Sequence, residues 1–243
     1  MAKGKGKLRL GTSGWQYNHW KGTFYPRELR KNQWFEHYAK TFDTVEINNT
    51  FYRLPSEKTF HAWREATPKG FCYALKFSRY GSHMKRLKDP ADSIGAFLER
   101  AEVLGKLLGP ILVQLPPNFK VDADRLDAFL DAAPSRIRWA VEFRHPSWLC
   151  KPVYDVLSRR KAALCIHDMI DTHPRKVTAD WVYLRFHGSN YGGSYSAQSL
   201  SATARRIESH LSDGLDVYVY FNNDVHGYAV ANAIDLRRYV LGD

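Results

Sequence analysis

Short apolar stretches that acquire polar residues at alternate positions just before they end recur along this chain. Seven segments follow the pattern: 45–48, 75–78, 113–116, 141–144, 164–167, 184–187 and 220–223. Side chains of a strand alternate between two faces, so each segment predicts a strand with one apolar and one polar face. The polar faces carry Glu46, Lys76, Gln114, Glu142, Arg185 and His187. Because a buried polar group is costly unless it is paired or hydrated, this repetition indicates a set of functional side chains.

Helical patterns lie between most of these strands. An eighth strand, 8–12, precedes them, and amphipathic stretches cover 34–39, 60–66, 93–108, 126–130, 153–157, 204–211 and 230–240. The stretch from Ser93 should stop before Gly109-Pro110, because both residues break helices. The segment between the sixth and seventh strands has no helical period, so its helix is reduced or missing. Strands alternating with helices predict an α/β fold, a single barrel of the TIM type with about eight parallel strands.

The length and charge of the chain bear on its organisation and its partners. Its 243 residues match the ~250 typical of one such barrel, and we expect a flexible basic tail over 1–7 followed by one domain over 8–243. The formal net charge of +11 favours an anionic partner, either a small molecule or a nucleic-acid fragment. A basic surface without a specific partner remains the alternative.

Cysteine spacing and hydropathy indicate the compartment. Cys72, Cys150 and Cys165 show no CxxC spacing, which favours a reducing environment over a disulfide framework. No apolar run approaches the ~20 residues of a membrane span, and no secretory segment precedes Leu8. We therefore expect a cytoplasmic protein without a membrane partner.

The strongest catalytic candidates are Glu46 and Glu142, on the second and fifth predicted strands. Barrels of this type keep their active sites at the carboxyl ends of the strands, so the two carboxylates could divide acid and base roles there. The alternative is that each forms a buried ion pair with Lys76, Arg144 or Arg185. The two interpretations are compatible, because active-site carboxylates are often paired. Lys76 is included among the catalytic candidates for its positive charge.

A glycine-rich loop directly follows the seventh strand and precedes a helix. It reads Gly188-Ser189-Asn190-Tyr191-Gly192-Gly193-Ser194-Tyr195. Glycines allow backbone N–H groups to converge on an anion, and barrels frequently bind phosphate in the loops after strands seven and eight. Arg185 and His187 lie beside the loop, and His187 could also transfer a proton. The sequence thus predicts a phosphate site here, with a flexible surface loop as the alternative.

Further residues near the strand ends are candidates for substrate binding. Trp15 and Tyr17, in the first loop, could stack on a sugar or a base, whereas Phe24, Phe51 and Trp148 should pack the loops. The remaining candidates lie at or after strand ends and are Asn48, Gln114, Arg144, Asn222 and Asn223.

Evidence for a cofactor or a serine nucleophile is weak. A metal could use Glu46, Glu142, His167, Asp168 or His187, but no HExxH-like spacing supports one, and the nearby Lys76 and Arg185 would repel a cation. A metal is therefore open but not favoured, and we find no organic-cofactor motif. Ser13 and Ser78 lack the context of a nucleophile elbow.

The motifs in combination resemble the YecE-like proteins, a microbial family catalogued as a domain of unknown function (domain of unknown function 72). The opening 11–15 with Tyr17 and Trp20, and Phe24-Tyr25-Pro26, are similar to that family. So are 45–53, Phe77, 114–117, 141–145 with Trp148, 185–188, Tyr195, and 220–223 before Gly227 and Ala229. The resemblance spans nearly the whole chain and implies a TIM-barrel-like fold. It implies no established activity.

Three functional hypotheses follow. The first is an enzyme, a hydrolase or lyase, that acts on an anionic, phosphorylated substrate with Glu142 and Glu46 as its acid–base pair. The second is a glycoside hydrolase that uses the same two carboxylates. The third is a non-catalytic module that binds nucleic acid or a phosphorylated ligand.

Overall fold

Strands and helices alternate along the chain in the computed structural model, which describes residues 4–189 and 192–242. The strands are β1 (Leu8–Thr12), β2 (Thr44–Ile47), β3 (Cys72–Lys76), β4 (Leu108–Gln114), β5 (Trp139–Glu142), β6 (Ala163–His167), β7 (Trp181–Phe186) and β8 (Asp216–Phe221). These eight described strands are parallel, so the fold is α/β of the TIM-barrel type, as the sequence predicts.

The helices follow the predicted amphipathic stretches, with one short addition. They are α1 (Trp34–Thr41), α2 (Asn49–Tyr52), α3 (Glu57–Ala66), α4 (Pro90–Ala101), α5 (Ala123–Ala132), α6 (Lys151–Arg159), α7 (Ala197–Ser212) and α8 (Tyr228–Leu241). Residues 168–180, all of them described, contain no helix between β6 and β7. The prediction that this connection lacks its helix is confirmed.

Helical structure ends before Gly109-Pro110 as predicted, but its last part is not α-helical. The α-helix α4 ends at Ala101, a 3-10 segment covers Glu102–Leu107, and Gly109-Pro110 lies inside β4. Proline is tolerated near the start of a strand, where the missing N–H costs little. The α-helix is therefore shorter than the predicted stretch, whose remainder to Leu107 is 3-10 helix.

The contacts within the chain divide it into two compact units. The first comprises the described residues up to Glu46, then His167–Met169, then those from Trp181 onward. In it β1 pairs with β8, β8 pairs with β7, and a parallel bridge joins Ser13 to Glu46. Leu10, Val219 and Leu211 contribute to its apolar core.

Within the predicted basic tail, Gly6 donates a backbone hydrogen bond to Leu211 (2.8 Å), and Lys7 donates one to the Asp216 side chain (2.8 Å). Residues 1–3 lie outside the described part of the chain. The division into a tail and a single domain stays a prediction.

The second unit comprises Ile47–Ile166 and Ile170–Asp180. Its strands pair in the sequence β3, β4, β5 and β6, with a register irregularity between Tyr73 and Leu75. The pairing of β4 with β5 sets Gln114 directly beside Glu142. Two polar side chains from neighbouring strands thus share one strand end.

Candidate functional site

Glu46 is the centre of a buried polar cluster in the first unit. Its side chain is fully buried, and Ser13 Oγ donates to its Oε1 (2.7 Å). Arg185 Nη2 donates to the same oxygen (2.8 Å), and the Tyr183 hydroxyl donates to Oε2 (2.6 Å). Charge-assisted hydrogen bonds of this kind are the strong ones, so Glu46 is held firmly in place. We call these four residues the Glu46 cluster.

Arg185 connects the Glu46 cluster to a histidine–aspartate pair. Arg185 Nη1 lies 3.4 Å from His187 Nε2, and His187 Nδ1 lies 3.0 Å from Asp168 Oδ1. A guanidinium can only donate, so Nε2 is the acceptor in the first contact and the ring proton is on Nδ1, facing Asp168. This fixes the tautomer of His187.

Asp168 accepts several hydrogen bonds, and its side chain is partly exposed. The His187 backbone N–H donates to both carboxylate oxygens (3.0 and 3.2 Å), and the Tyr195 hydroxyl donates to Oδ2. Burial raises the pKa of Asp168, but the hydrogen bonds from His187 and Tyr195 outweigh it, so the net pKa is below the usual value. Burial, together with the charge of Asp168, raises the pKa of Tyr195. Asp168 is therefore held as a carboxylate.

Several backbone N–H groups of the glycine-rich loop already donate within the protein. Gly188 N donates to the Tyr195 hydroxyl (2.7 Å), Gly193 N to the Ser189 carbonyl (2.9 Å) and Tyr195 N to Asn232 Oδ1 (3.2 Å). These three N–H groups therefore already form hydrogen bonds within the protein. Asn190 and Tyr191 lie outside the described residues. The predicted phosphate site in this loop stays a prediction.

Asn223 connects β8 to the same loop. Its Nδ2 donates to the Gly193 carbonyl (3.0 Å) and to Asn232 Oδ1 (3.0 Å), and the side chain is almost completely buried. The Asn232 amide in turn donates to Ser194 Oγ (3.1 Å). Asn223 therefore supports the loop from below.

Glu142 is the centre of a second buried cluster, in the second unit. Arg144 Nε donates to Glu142 Oε1, and the Cys165 thiol lies 3.7 Å from Oε2. Arg144 Nη2 also lies 3.5 Å from Gln114 Oε1. The Glu142 side chain is fully buried, whereas that of Arg144 is 15% exposed. A solute would therefore meet the guanidinium before the carboxylate.

Positive groups surround His83 in the same unit. The Lys76 ammonium lies 4.5 Å from the centre of the Phe51 ring, and the His83 ring packs edge-on against Phe51 at 4.8 Å. Burial, together with the charges of Lys76, Arg79 and Arg144, lowers the pKa of His83 to about 4. His83 is thus neutral at physiological pH, amid three cations. We call Glu142, Arg144, Gln114, Lys76 and His83 the Glu142 cluster.

Two aromatic candidates take part in packing of the first loop. Trp15 is buried, with its ring 5.3 Å from Phe35. The Tyr17 hydroxyl donates to the Ser13 carbonyl (2.6 Å), and its ring lies 4.8 Å from Trp20. Contact of either ring with a ligand stays a prediction.

Two amide candidates are placed by the backbone beside a strand or helix. The Asn48 carbonyl accepts from Phe51 N (3.1 Å) at the start of α2, and Asn222 N donates to the Phe186 carbonyl (2.7 Å). Their substrate-binding roles stay predictions.

Three residues take part in these clusters in ways that the sequence does not predict: Tyr183, Asp168 and His83. Tyr183 lies two positions before Arg185 in β7, and side chains at that spacing point to the same face of a strand, so the sequence could have indicated its place beside Arg185. Asp168 follows β6 directly, and its sequence context suggests only a metal ligand. His83 lies in a π-helical turn, Tyr80–Met84, for which the sequence carries no periodic signal.

The described residues form neither a metal-binding cluster nor a membrane-spanning helix. Residues 4–189 and 192–242 contain no group of three or more His, Cys, Asp or Glu side chains placed to hold a metal ion. None of the described helices is long and apolar enough to cross a membrane.

The chain is similar to several proteins of unknown function. The model of the family described as "Protein of unknown function DUF72" matches residues 9–242. The UPF0759 protein YecE of Escherichia coli is 36% identical over 117 residues, which are 48% of this chain and 43% of that protein, so the match spans less than half of that relative. The UPF0759 protein YunF of Bacillus subtilis is 25% identical over 93% of this chain and 92% of its own length.

A solved structure gives the same result for the fold. The crystal structure of a DUF72 family protein from Thermotoga maritima superimposes with a TM-score of 0.87 at 29% identity, over 98% of this chain and 100% of the other. The resemblance inferred from the strand-end motifs is confirmed.

Proposed function

The chain belongs to the DUF72 family of proteins of unknown function, and within it we propose an enzyme that performs acid–base chemistry on an anionic, phosphorylated substrate. Hydrolysis and elimination by a lyase are the reaction classes that this site suits. The observation that carries the proposal is the Glu142 cluster, in which a buried carboxylate lies beside an arginine and near further cations.

Positive charge in the Glu142 cluster favours a negatively charged ligand. Lys76, Arg79 and Arg144 all act on His83, and Lys76 is 8% exposed. In a partly buried environment the effective dielectric constant is lower than in water, so these charges attract an anion more strongly than surface lysines would. Because the His83 ring is neutral, it would not repel a basic group that the ligand carried in addition to its negative charge.

The geometry suits Glu142 for proton transfer. Its Oε1 accepts from Arg144, and the weakly donating Cys165 thiol lies near Oε2. A phosphate drawn to Arg144 would come close to this carboxylate, which could then remove or return a proton. Arg144 and Lys76 would neutralise the negative charge that develops on the substrate. Gln114, beside Glu142 in the β4–β5 register, would orient the ligand.

The Glu46 cluster supports a different role. Three donors occupy the two oxygens of Glu46, and one of them is the buried Arg185. This arrangement is suited to holding Arg185 in place. His187, oriented by Asp168, is the proton carrier of this unit in our proposal. The pairing of Glu46 with Glu142 as acid and base stays a prediction.

Ligand-induced stabilisation tests the proposal before the substrate has been identified. A ligand that binds the native state raises its unfolding temperature by mass action. Metal-stripped protein is screened with inorganic phosphate, nucleotides and sugar phosphates, each beside its neutral counterpart, at low and moderate salt. We expect stabilisation by phosphorylated compounds only. The change Arg144→Gln should abolish it, whereas Arg159→Gln, at an exposed arginine paired with Asp127, should not.

Turnover of the stabilising compounds then tests the chemistry. Glu142→Gln should remove turnover and keep ligand-induced stabilisation, because the amide retains the size of the side chain but cannot exchange a proton. Equal stabilisation by neutral sugars would refute the proposal and favour the glycoside hydrolase. Tight phosphate-dependent binding with no turnover of any bound compound would leave a binding module.

A further inference from the structure

Large apolar side chains are concentrated on one part of the second unit's surface. Tyr52, Tyr80 and Met84 are 76%, 49% and 68% exposed. The described residues include six exposed large hydrophobic side chains, and three of the six lie within positions 52–84 of this 243-residue chain. Single exposed apolar residues are ordinary, but a concentration of them marks a binding surface. We call these three residues the tyrosine surface.

The two segments that carry the tyrosine surface are packed together. Tyr52 ends the short helix α2, and Tyr80 and Met84 delimit the π-helical turn. Phe51 joins the segments, because its ring lies 5.0 Å from that of Tyr52 and 4.8 Å from that of His83. The exposed rings thus project from a fixed base.

Cations surround the tyrosine surface. Arg53 directly follows α2, Arg79 directly precedes the π-helical turn, and Lys88 lies four residues after it; all three are exposed. The Lys85 ammonium lies 5.9 Å from the centre of the Tyr80 ring and pairs with Asp89 (3.0 Å). Flat aromatic faces between positive side chains match the chemistry of a chain that alternates bases with phosphates.

The tyrosine surface is continuous with the Glu142 cluster. Phe51 and His83 belong to the base under the exposed rings, and the Lys76 ammonium lies against Phe51 at 4.5 Å. A nucleic-acid strand whose bases stacked on Tyr52 and Tyr80 would therefore bring its phosphates toward Lys76 and Arg144. The surface and the candidate site would bind one ligand.

We propose that the tyrosine surface binds single-stranded nucleic acid and delivers it to the Glu142 cluster. The inference rests on the proposed function, because it names the class of phosphorylated substrate for that site. Unpaired bases can stack on exposed rings, whereas the bases of a duplex are already stacked on one another. The surrounding cations would follow the backbone and make the affinity depend on salt.

Fluorescence anisotropy with a labelled oligothymidine tests the inference on the full chain. We expect an oligomer of about ten nucleotides, within the range of single-strand site sizes, to bind more tightly than a duplex of equal length. Tyr52→Ala and Tyr80→Ala should each weaken binding about fivefold to 150-fold, the factor that corresponds to the loss of one stacked base. Tyr52→Phe and Tyr80→Phe should keep the affinity, because the ring remains. Leu241→Ala, at an apolar side chain in α8 that is 53% exposed, close to the 49% of Tyr80, is the control.

Salt dependence separates backbone contacts from stacking. Arg79→Gln and Lys88→Gln should each lower the slope of log affinity against log salt by ~0.7 if they contact one phosphate of the strand. Polyglutamate of matched charge provides a comparison. Equal competition by polyglutamate, equal binding of duplex, or unchanged affinity in both tyrosine-to-alanine variants would overturn the inference.

The outcomes distinguish this inference from the proposed function. If phosphorylated small molecules stabilise the protein through Arg144 but the oligomer does not bind, the tyrosine surface has another role and the proposed function stands. If the oligomer binds through Tyr52 and Tyr80 but Arg144→Gln and Glu142→Gln change neither stabilisation nor turnover, the surface stands and the proposed chemistry fails.

Discussion

Replacing Glu46 with glutamine should destabilise the protein strongly, because it removes a buried charge and keeps its partner. Arg185 is 1% exposed and lies 2.8 Å from Glu46 Oε1. At an effective dielectric constant of ~20, two unit charges at that distance attract by roughly 6 kcal/mol. Desolvation offsets part of this attraction, and removing one member of a buried pair typically costs about 3–5 kcal/mol.

The glutamine side chain also faces the wrong set of partners. Both oxygens of Glu46 accept hydrogen bonds, from Ser13 and Arg185 on one side and from Tyr183 on the other. One of the two positions becomes an NH2 group in Glu46→Gln and presents a donor to a donor. We therefore expect the free energy of unfolding to fall by about 3 kcal/mol or more.

Urea denaturation at neutral pH measures this loss. Glu36→Gln, which breaks a pair with Lys40 whose two side chains are each 70% exposed, should change the free energy of unfolding little. The double variant Glu46→Gln/Arg185→Met should be more stable than Glu46→Gln alone, because it removes the remaining buried charge. A loss below about 1 kcal/mol, or a double variant less stable than the single one, would refute the assigned electrostatic role.

Four further predictions concern Asp168, His83 and Gly188. Asp168→Asn should reduce the occupancy of the Nδ1–H tautomer of His187, read from ring ¹⁵N chemical shifts; an unchanged tautomer would contradict the assigned hydrogen bond. The folded pKa of Asp168 lies below its unfolded value, near 3.9, so its stabilising contribution is present above the unfolded pKa and is lost as the pH falls through the folded pKa. The difference in free energy of unfolding between wild type and Asp168→Asn should therefore shrink as the pH falls, as urea titrations at several pH values would show. His83 has a folded pKa of about 4 against 6.5 unfolded, so the unfolded chain takes up the proton first and stability should fall as the pH drops between these values; His83→Gln should flatten that slope, and equal slopes would exclude this contribution. Gly188→Ala should lower the melting temperature, because Gly188 has φ +104° and a Cβ there would lie 2.6 Å from loop backbone, whereas Gly95→Ala in α4, where a Cβ meets no atom within 4 Å, should not; equal melting temperatures would count against the loop conformation.

The alternation of polar and apolar residues is sufficient to predict the strands and the polar side chains at their ends. Glu46, Glu142 and Arg185, which the alternation places on the polar faces, are all buried in the structure. The same pattern predicted the missing helix before β7, since residues 168–180 have no 3.6-residue period. Local signals are less exact where structure is irregular: the stretch from Ser93 is α-helical only to Ala101, and Gly109-Pro110 lies inside β4.

Partners remote in sequence could not be assigned from periodicity. Tyr183 and Glu46 are 137 positions apart, and His187 and Asp168 are 19 apart, so only the packing of strands brings their atoms together. In the glycine-rich loop, composition suggests open N–H groups, whereas the Tyr195 hydroxyl accepts from Gly188 N and Asn232 Oδ1 accepts from Tyr195 N. Composition describes what a loop can do, and its neighbours decide what it does.

The two carboxylate–arginine pairs differ in a way that assigns them different roles. Glu46 and Arg185 come from separate strands and are both almost fully buried, so their attraction stabilises packing and neither group is reached by a solute. Glu142 and Arg144 come from one strand end, where Glu142 is buried and Arg144 is 15% exposed, and cations around His83 add to the local positive charge. A catalytic carboxylate must be shielded from water and yet meet its substrate. In the proposed mechanism Arg144 would supply that access for Glu142, so variants of Arg144 and Glu142 should change ligand binding and turnover, whereas variants of Glu46 should first change stability.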